Sequence, residues 1–405
     1  YAFYLSLPYF FLDRLGDYIT DAQWVIVFLG LSLAIQMISG SARGLLPGYH
    51  RWDIHNAMHA GQSLAALALM VLSLLYTEYG VVGMAVSYLI ATFIFEMSRF
   101  IVVRFICVEF HFNLKLVRWH KCEEMLIFGI KSMLSNLPPI LLLQTINIMI
   151  VGAIGPASLA IFSRPMALTK QITTFMNKFT LMLAPTAGSM QGLSDDLTDV
   201  KVLFVNTTKL SFAFSIPALG FLAVYGDVIL NYWMGEDYAL WNLIAILSIG
   251  KILPMGQDSS IRILMGLNQH GKISIMAFIA VIVIFIISVM IVGQEGWALT
   301  TAALLFIVPM NLVYGFMVPI YTCRKLQLSW LSYSYNAMLQ PLLLLMPYII
   351  LMLISRYCYQ QHLTSLAAGL ASAAVLVTVV IYFIKLVPKS TKLAIHKKLP
   401  SFLVS

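Results

Sequence analysis

The sequence predicts an all-α polytopic membrane protein, and three observations carry that prediction. Of its 405 residues, 60% are hydrophobic and 10% charged, with a mean hydropathy of +0.88. Soluble domains carry about 25% charged residues. Apolar stretches of the length that crosses a bilayer as a helix, about 20 residues, recur along the chain. Lysine and arginine fall mostly in alternate connections between those stretches.

A short apolar piece, 1–12, comes first. Eleven stretches long enough to span follow, near 22–46, 55–76, 80–104, 127–152, 157–185, 203–228, 239–264, 273–292, 297–322, 328–354 and 365–387. Stretch 80–104 carries Glu96 and Arg99, three residues apart and so on one helical face. Between 105 and 123, FICVEFHFNLKLVRWHKCE mixes Phe, Leu and Trp with basic residues, which suits a helix lying in the interface. In 127–152, Pro138-Pro139 predicts a break that frees carbonyls beside Asn136, Gln144 and Asn147. That group reads either as cation ligands or as a helix-packing patch. Stretch 157–185 holds Arg164, Lys170 and Lys178, with Pro165 allowing a bend.

Fifteen cations occupy alternate connections: Arg43, Arg51, Arg104, Lys115, Arg118, Lys121, Lys201, Lys272, Arg324, Lys325, Lys385, Lys389, Lys392, Lys397 and Lys398. The opposite connections hold two, Arg14 and Arg356. This positive-inside pattern places the C-terminal tail in the cytoplasm. It also accounts for the net charge of +8 with no nucleic-acid partner. Cys107, Cys122, Cys323 and Cys358 form no CxxC pair, so neither a disulfide framework nor a zinc site is predicted. His50, His55 and His59 sit at a loop and helix start and read as a solvated face. No HExxH, GxSxG, P-loop or dinucleotide glycine pattern points to an enzyme.

The chain repeats itself. Trp24 of GDYITDAQW and Trp241 of GEDYALW lie 217 apart, as do Glu78 of TEYG and Glu295 of GQEG. Gly48 of LPGYHR and Gly266 of LMGLNQ lie 218 apart. Equivalent positions are six spans apart, an even number, so the units run the same way through the membrane, as in parallel-repeat transporters. The expected organisation is two parallel six-helix lobes plus a C-terminal helix pair. The second unit begins near Glu123, so the offset predicts an N-terminally truncated chain, lacking about 94 residues of an intact fourteen-span protein. Residues 1–104 are then the remainder of the N-lobe, 105–123 an interfacial linker and 124–325 the C-lobe. Residues 326–387 form the extra pair and 388–405 a basic tail.

Charges inside the spans are the candidate site. An ionised side chain at mid-membrane costs about 2.5–3.5 kcal/mol on insertion scales. On a helix turning about 100° per residue, with Arg164 as zero, Gln171 falls near −20°, Lys178 near −40°, Thr174 near −80° and Lys170 near −120°. The opposite arc holds Ile161, Leu168, Ile172, Phe175, Met176 and Phe179, with Thr169 and Thr180 at its far edge. One face is therefore cationic and wet, the wall of a cavity for an anion; snorkelling is the competing reading for Lys178. Lys131 is placed at the mouth of that cavity. Lys251, a further candidate for binding the anionic substrate, falls within about 40° of Asp258 and Arg262 if 239–264 is one helix. Asp258 and Arg262 read either as a neutralising pair or as an ion-coupling device, and Glu96 with Arg99 as a similar pair.

GLLPGYHRWDIHNAMHAGQSLAALAL, EYGVVGMAVSYLI, FGIKSMLSNLPPILLLQTINIMIVGAIGPASLAIFSRPMAL, LAPTAGSMQGLSDD and ILNYWMGEDYALWNLIAIL resemble bacterial polysaccharide transporters. These are the O-antigen flippases of the multidrug/oligosaccharidyl-lipid/polysaccharide (MOP) exporter superfamily. The resemblance implies two lobes around a cationic cavity in the bacterial inner membrane. It implies alternating access that carries undecaprenyl-pyrophosphate-linked oligosaccharide between leaflets, with polymerase and chain-length proteins as pathway partners. It requires no cofactor and leaves H⁺ or Na⁺ coupling open. Of the family's cavity cations, only Lys131, Arg164, Lys170 and Lys178 have counterparts here. Where similar lipid II flippases place sodium-binding acids, the nearest polar groups are Asn147 and Asn311. Two alternatives stand beside this reading. A cation-drug exporter of the same fold would want a carboxylate-rich cavity. A polysaccharide polymerase or ligase would want a long outer loop.

Overall fold

A computed structural model describes residues 19–49, 51–106, 118–193, 197–292 and 297–381, and every regular element in them is helical. The predicted tail 388–405, most of the interfacial linker, Glu295 of the repeat, His50, Cys107 and the cations Arg14, Lys115, Lys385, Lys389, Lys392, Lys397 and Lys398 lie outside the described residues. The chain divides into two compact units, Tyr1–Arg118 and Trp119–Ser405.

Unit one contains α1 (Ile19–Ile38), α2 (Gly40–Gly48), α3 (Trp52–Tyr76) and α4 (Gly80–Ile106). Stretch 22–46 is thus two helices, parted by a turn at Ser39. Both α1 and α3 pack on α4, and α2 closes a corner by burying Ala42 and Leu46 against Val103.

Unit two begins with α5 (Trp119–Ala153), α6 (Pro156–Thr180), α7 (Leu183–Leu193) and α8 (Thr198–Met234). Next come α9 (Trp241–Gly256), α10 (Asp258–Gly266), α11 (His270–Val292) and α12 (Leu299–Lys325), the last with π-helical residues Asn311–Met317. Helices α13 (Trp330–Leu344), α14 (Met346–Gln360) and α15 (Thr364–Ile381) complete it, α13 and α14 meeting at a 41° bend. Its largest core joins Ile146 and Ile150 of α5, Phe162 of α6, Leu243 and Leu247 of α9, and Ala302 and Phe306 of α12. Lipid tails are as apolar as these side chains, so close packing and polar contacts hold such helices together.

Among the described residues, eight helices are long and apolar enough to cross a membrane, or nine if the bent pair is one span. Two predicted stretches fall short. The 25-residue α6 is too polar, and Gln257 interrupts 239–264 between α9 and α10. Those two stretches carry most of the candidate charges.

Helix breaks also fall elsewhere than the sequence predicts. Pro138-Pro139 lies inside an unbroken helix. Pro139 has no N–H for the carbonyl of Ser135, four residues back, and that carbonyl instead accepts a hydrogen bond from the Tyr314 hydroxyl at 3.0 Å. With a replacement donor in place, the helix continues. Stretch 157–185 ends at Thr180 instead of running on, and Leu181–Met182 turn into α7. Pro185 cannot donate to a carbonyl of the preceding turn, which favours ending one helix and starting another.

Two loop charges are placed differently from expectation, and one span charge finds a partner. Arg43 sits in α2 and pairs with buried Glu96 instead of lying free in a loop. Arg356 lies within α14, where both terminal nitrogens reach Asp227 of α8, at 3.2 and 2.6 Å. Lys209 donates to Gln340 at 2.9 Å. In each case the charge is better served by a partner on a neighbouring helix than by an apolar surface.

The element boundaries repeat at the offset read in the sequence. Helices α2 and α10 have nine residues each, starting at 40 and 258, a shift of 218. Helices α3 and α11 start at 52 and 270, again 218, and α4 and α12 at 80 and 299, a shift of 219. The equivalent helix-ending glycines are used differently. A Cβ on Gly266 would run into the carbonyl oxygen of Ala184 in α7 and lie 3.0 Å from the Ala187 Cβ, whereas a Cβ on Gly48 would meet nothing within 4 Å. Backbone cannot rotate away as a side chain can. Gly266→Ala is therefore expected to cost about 1–3 kcal/mol of packing and to lower the thermal midpoint of the detergent-solubilised protein. Gly48→Ala should leave it unchanged; equal midpoints for the two variants would contradict this account.

Candidate functional site

Helix α6 presents two unlike faces. Arg164, Ala167, Lys170, Gln171, Thr174 and Lys178 are exposed, and Phe162, Met166, Thr169, Met176 and Thr180 are buried. With Arg164 as zero, these exposed positions span about 120°, from about −120° to 0°. Arg164 and Lys178 are fourteen residues apart on one helix, or about 21 Å at 1.5 Å per residue. Among the described residues, no carboxylate pairs with Arg164, Lys170 or Lys178.

Phe175 and Phe179, expected on the apolar arc, are 51% and 53% exposed and border the cationic face. They stack edge-on at 5.2 Å, and Phe175 lies 5.5 Å from Phe214 of α8. On the helix's own angles they lie about 20° and 60° from Arg164, so they form one edge of the cationic face.

The back of α6 is pinned by polar contacts that the sequence did not announce. Lys251 of α9 donates to the Thr169 hydroxyl at 2.7 Å and to the Met166 sulfur at 3.0 Å, with its ammonium 5.8 Å from the Phe306 ring. Thr180 donates to Asp258, the first residue of α10. Asp258 also holds Arg262, Nε to Oδ2 at 3.2 Å. A carboxylate in the first turn suits the positive end of a helix. Lys251 and Asp258 both reach α6, on either side of the break at Gln257, and Lys251 bonds Thr169 and Met166 instead of the carboxylate. Thr169 and Thr180 are eleven residues apart and share a face, the signal by which this contact line was legible.

The break has its own polar lining. Pro254 leaves the Gly250 carbonyl without a helical donor, and Asn311 of α12 supplies one at 2.7 Å. Gln257 accepts from the Tyr333 hydroxyl of α13, and Thr208 of α8 meets Ser259 at 2.6 Å. Asn311 thus serves a backbone carbonyl. Asn136 is likewise occupied, donating to the Ser132 carbonyl at 3.0 Å, and is exposed, as is Gln144.

Two candidates lie on other elements. Lys131 is 22 residues before the end of α5, as Lys178 is 22 residues after the start of α6, so the two share a depth. Its aliphatic stem lies across Gly271 of α11. Glu96 belongs to unit one, fully buried, accepting from Ser39 and Arg43 and lying 3.2 Å from Arg99.

Beside the aromatic border, unit two opens into apolar cavities. One of about 520 Å³ is walled by Ile172 of α6, Phe214 and Phe221 of α8, Tyr348 of α14 and Val375 of α15. A larger one of about 830 Å³ shares Tyr348 and is walled by Ile216, Ile252, Leu331 and Met338. No group of three or more metal-binding side chains occurs among the described residues, and Cys122, Cys323 and Cys358 are free.

Solved structures of similar fold include MATE transporters. The chain is similar to an outward-facing multidrug resistance MATE family transporter of the MOP superfamily, with a TM-score of 0.69 and 13% identity over 80% of this chain and 74% of that one. It is similar also to a MATE transporter in the straight conformation, with a TM-score of 0.68 and 14% identity over the same shares. At such identities the likeness establishes the fold. No curated protein matches the sequence. Residues 20–243, more than half of the chain, match the family described as "Polysaccharide biosynthesis protein". This multi-pass membrane protein of MATE-like fold belongs to the polysaccharide biosynthesis protein family.

Proposed function

We propose that the protein is a flippase that carries an undecaprenyl-pyrophosphate-linked oligosaccharide across the bacterial inner membrane by alternating access. The observation that carries this reading is the uncompensated cationic face of α6. Cations in a membrane helix face a protein interior or a water-filled cavity and mark a pathway for their counter-ions. A pyrophosphate diester is a dianion, and Arg164 can hold its oxygens in the two-pronged geometry that guanidinium favours. Lys170 and Lys178 continue the field along the helix, while Gln171 and Thr174 offer hydrogen bonds to sugar hydroxyls. Lys131, at the depth of Lys178, adds to the field at that end, and Lys251 holds the helix from behind.

The rest of unit two supports the lipid half of the substrate. Phe175 packs against Phe214, which walls the smaller apolar cavity, and Tyr348 borders both cavities; these apolar surfaces suit a polyprenyl chain whose headgroup stays with Arg164. A cation-drug exporter would need carboxylates on that face, and its exposed residues include none. The cytoplasmic position of the C-terminus follows from the loop charges. Polymerase and chain-length proteins of the same pathway are the natural partners.

Removing charge-assisted bonds worth about 1.5–3 kcal/mol lowers an equilibrium or rate about ten- to a hundredfold. Arg164→Ala is accordingly expected to abolish surface polysaccharide in cells that depend on this protein, with its membrane abundance unchanged, and Arg164→Lys to restore part of it. Normal polysaccharide from the alanine variant would refute the assignment.

Asp258 and Arg262 admit a sharper test. Asp258→Asn strands Arg262, at a cost of about 3 kcal/mol, the low end for buried pairs because both side chains keep some exposure. A structural counter-charge predicts that Asp258→Asn combined with Arg262→Gln recovers thermal stability and transport together, and we expect that result. Recovery of stability without transport would instead assign Asp258 to ion coupling.

A further inference from the structure

We propose that unit one binds a phosphate group in the corner between α2, α3 and α4, at a site independent of the α6 face. The corner gathers Arg43 of α2, Trp52 and His55 from the first turn of α3, and Glu96 and Arg99 of α4. Two guanidinium groups share one carboxylate there, which leaves an excess positive charge. Glu96 is fully buried, accepts from Ser39 and Arg43, and lies 3.2 Å from the Nε of Arg99.

The same corner holds nitrogens with nothing to bond. Arg99 is 1% exposed, and its Nη1 has no hydrogen-bond partner. Arg43 Nε, Trp52 Nε1 and His55 Nδ1 are likewise enclosed and unpartnered among the described residues. They converge. Arg43 and Arg99 meet on Glu96, the His55 ring lies within electrostatic reach of both, and the Trp52 ring packs edge-on against it at 5.8 Å. Ala42, Leu46 and Val103 form the buried apolar cluster of the same corner, and Arg43 keeps about a third of its side chain exposed. His55, expected on a solvated face, is half-buried in this group, while His59 one turn on is exposed.

Buried polar groups are almost always bonded, so several idle ones in one place need a missing partner. Water fits poorly. Arginine and tryptophan only donate, and a neutral water would leave the charge of the second guanidinium unbalanced. An oxyanion supplies several acceptor oxygens and the missing negative charge together. Donors arriving from three helices suit a tetrahedral group, and basic pockets between membrane helices take lipid headgroups by this chemistry. The equivalent corner of unit two has no such excess. There Arg262, 219 residues after Arg43, balances Asp258, and Val318 stands 219 residues after Arg99.

The test uses the full chain. A ligand that binds only the folded state raises the thermal midpoint, so the midpoint is measured in detergent against inorganic phosphate, with chloride at matched ionic strength as control. It is measured again in phosphatidylcholine nanodiscs with and without phosphatidylglycerol. A rise with phosphatidylglycerol alone identifies a lipid headgroup, and a rise with inorganic phosphate identifies free phosphate; either supports the site. Trp52→Phe removes one idle N–H and keeps the ring, and should weaken the apparent affinity about tenfold, the size of one hydrogen bond. Arg99→Leu combined with Glu96→Gln, which leaves no stranded charge between them, should abolish the response. No phosphate-linked rise from either source, or a rise unchanged in both variants, would overturn the proposal.

Discussion

An ionised group placed among apolar helices must be paired, bonded or kept wet, and nearly every distinctive feature of this protein is one of those three solutions. Arg356 is paired, held by both nitrogens to Asp227 and packed against the Tyr359 ring. Lys251 is bonded, its ammonium shared between a hydroxyl and a thioether on α6. Arg164, Lys170 and Lys178 are neither, and their side chains occupy the one broad polar face of α6. Because the first two solutions use up the charges they touch, the third stands out as the place where charge remains available to a ligand.

The same rule governs the backbone. A proline inside a membrane helix leaves a carbonyl without a donor, and in hydrocarbon that carbonyl has no water to turn to. Here Tyr314 serves the carbonyl freed by Pro139, and Asn311 the one freed by Pro254. Both donors lie in the π-helical turn of α12, so a single irregular segment supports proline-bearing helices on either side of it. One of these helices stays continuous while the other stops at Gln257, where Tyr333, Thr208 and Ser259 accommodate an open turn. Whether a proline breaks a helix thus depends on what its neighbours donate.

Duplication supplied two copies of one corner, and the copies diverged in charge. In both, a nine-residue helix ending in glycine carries an arginine that meets an acid. Unit two keeps that pair balanced and uses it to hold α6 through Thr180. Unit one adds Arg99 and exceeds balance. A common scaffold therefore serves a tie in one place and surplus charge in the other.

Composition and periodicity by themselves determined the membrane class, the helical elements, the repeat offset and the two-faced character of α6, because these depend on local pattern: hydropathy over about twenty residues and the angle per residue. The pairing of Arg164 with Gln171 and Lys178 on one face is of this kind. Tertiary structure decided the rest. Phe175 took a partner from α8 in Phe214, Lys251 bonded to α6 instead of to Asp258, and Arg43 left its loop for buried Glu96. Each outcome turns on a partner far away in the chain, and no periodicity within one helix encodes which donor a distant helix will bring.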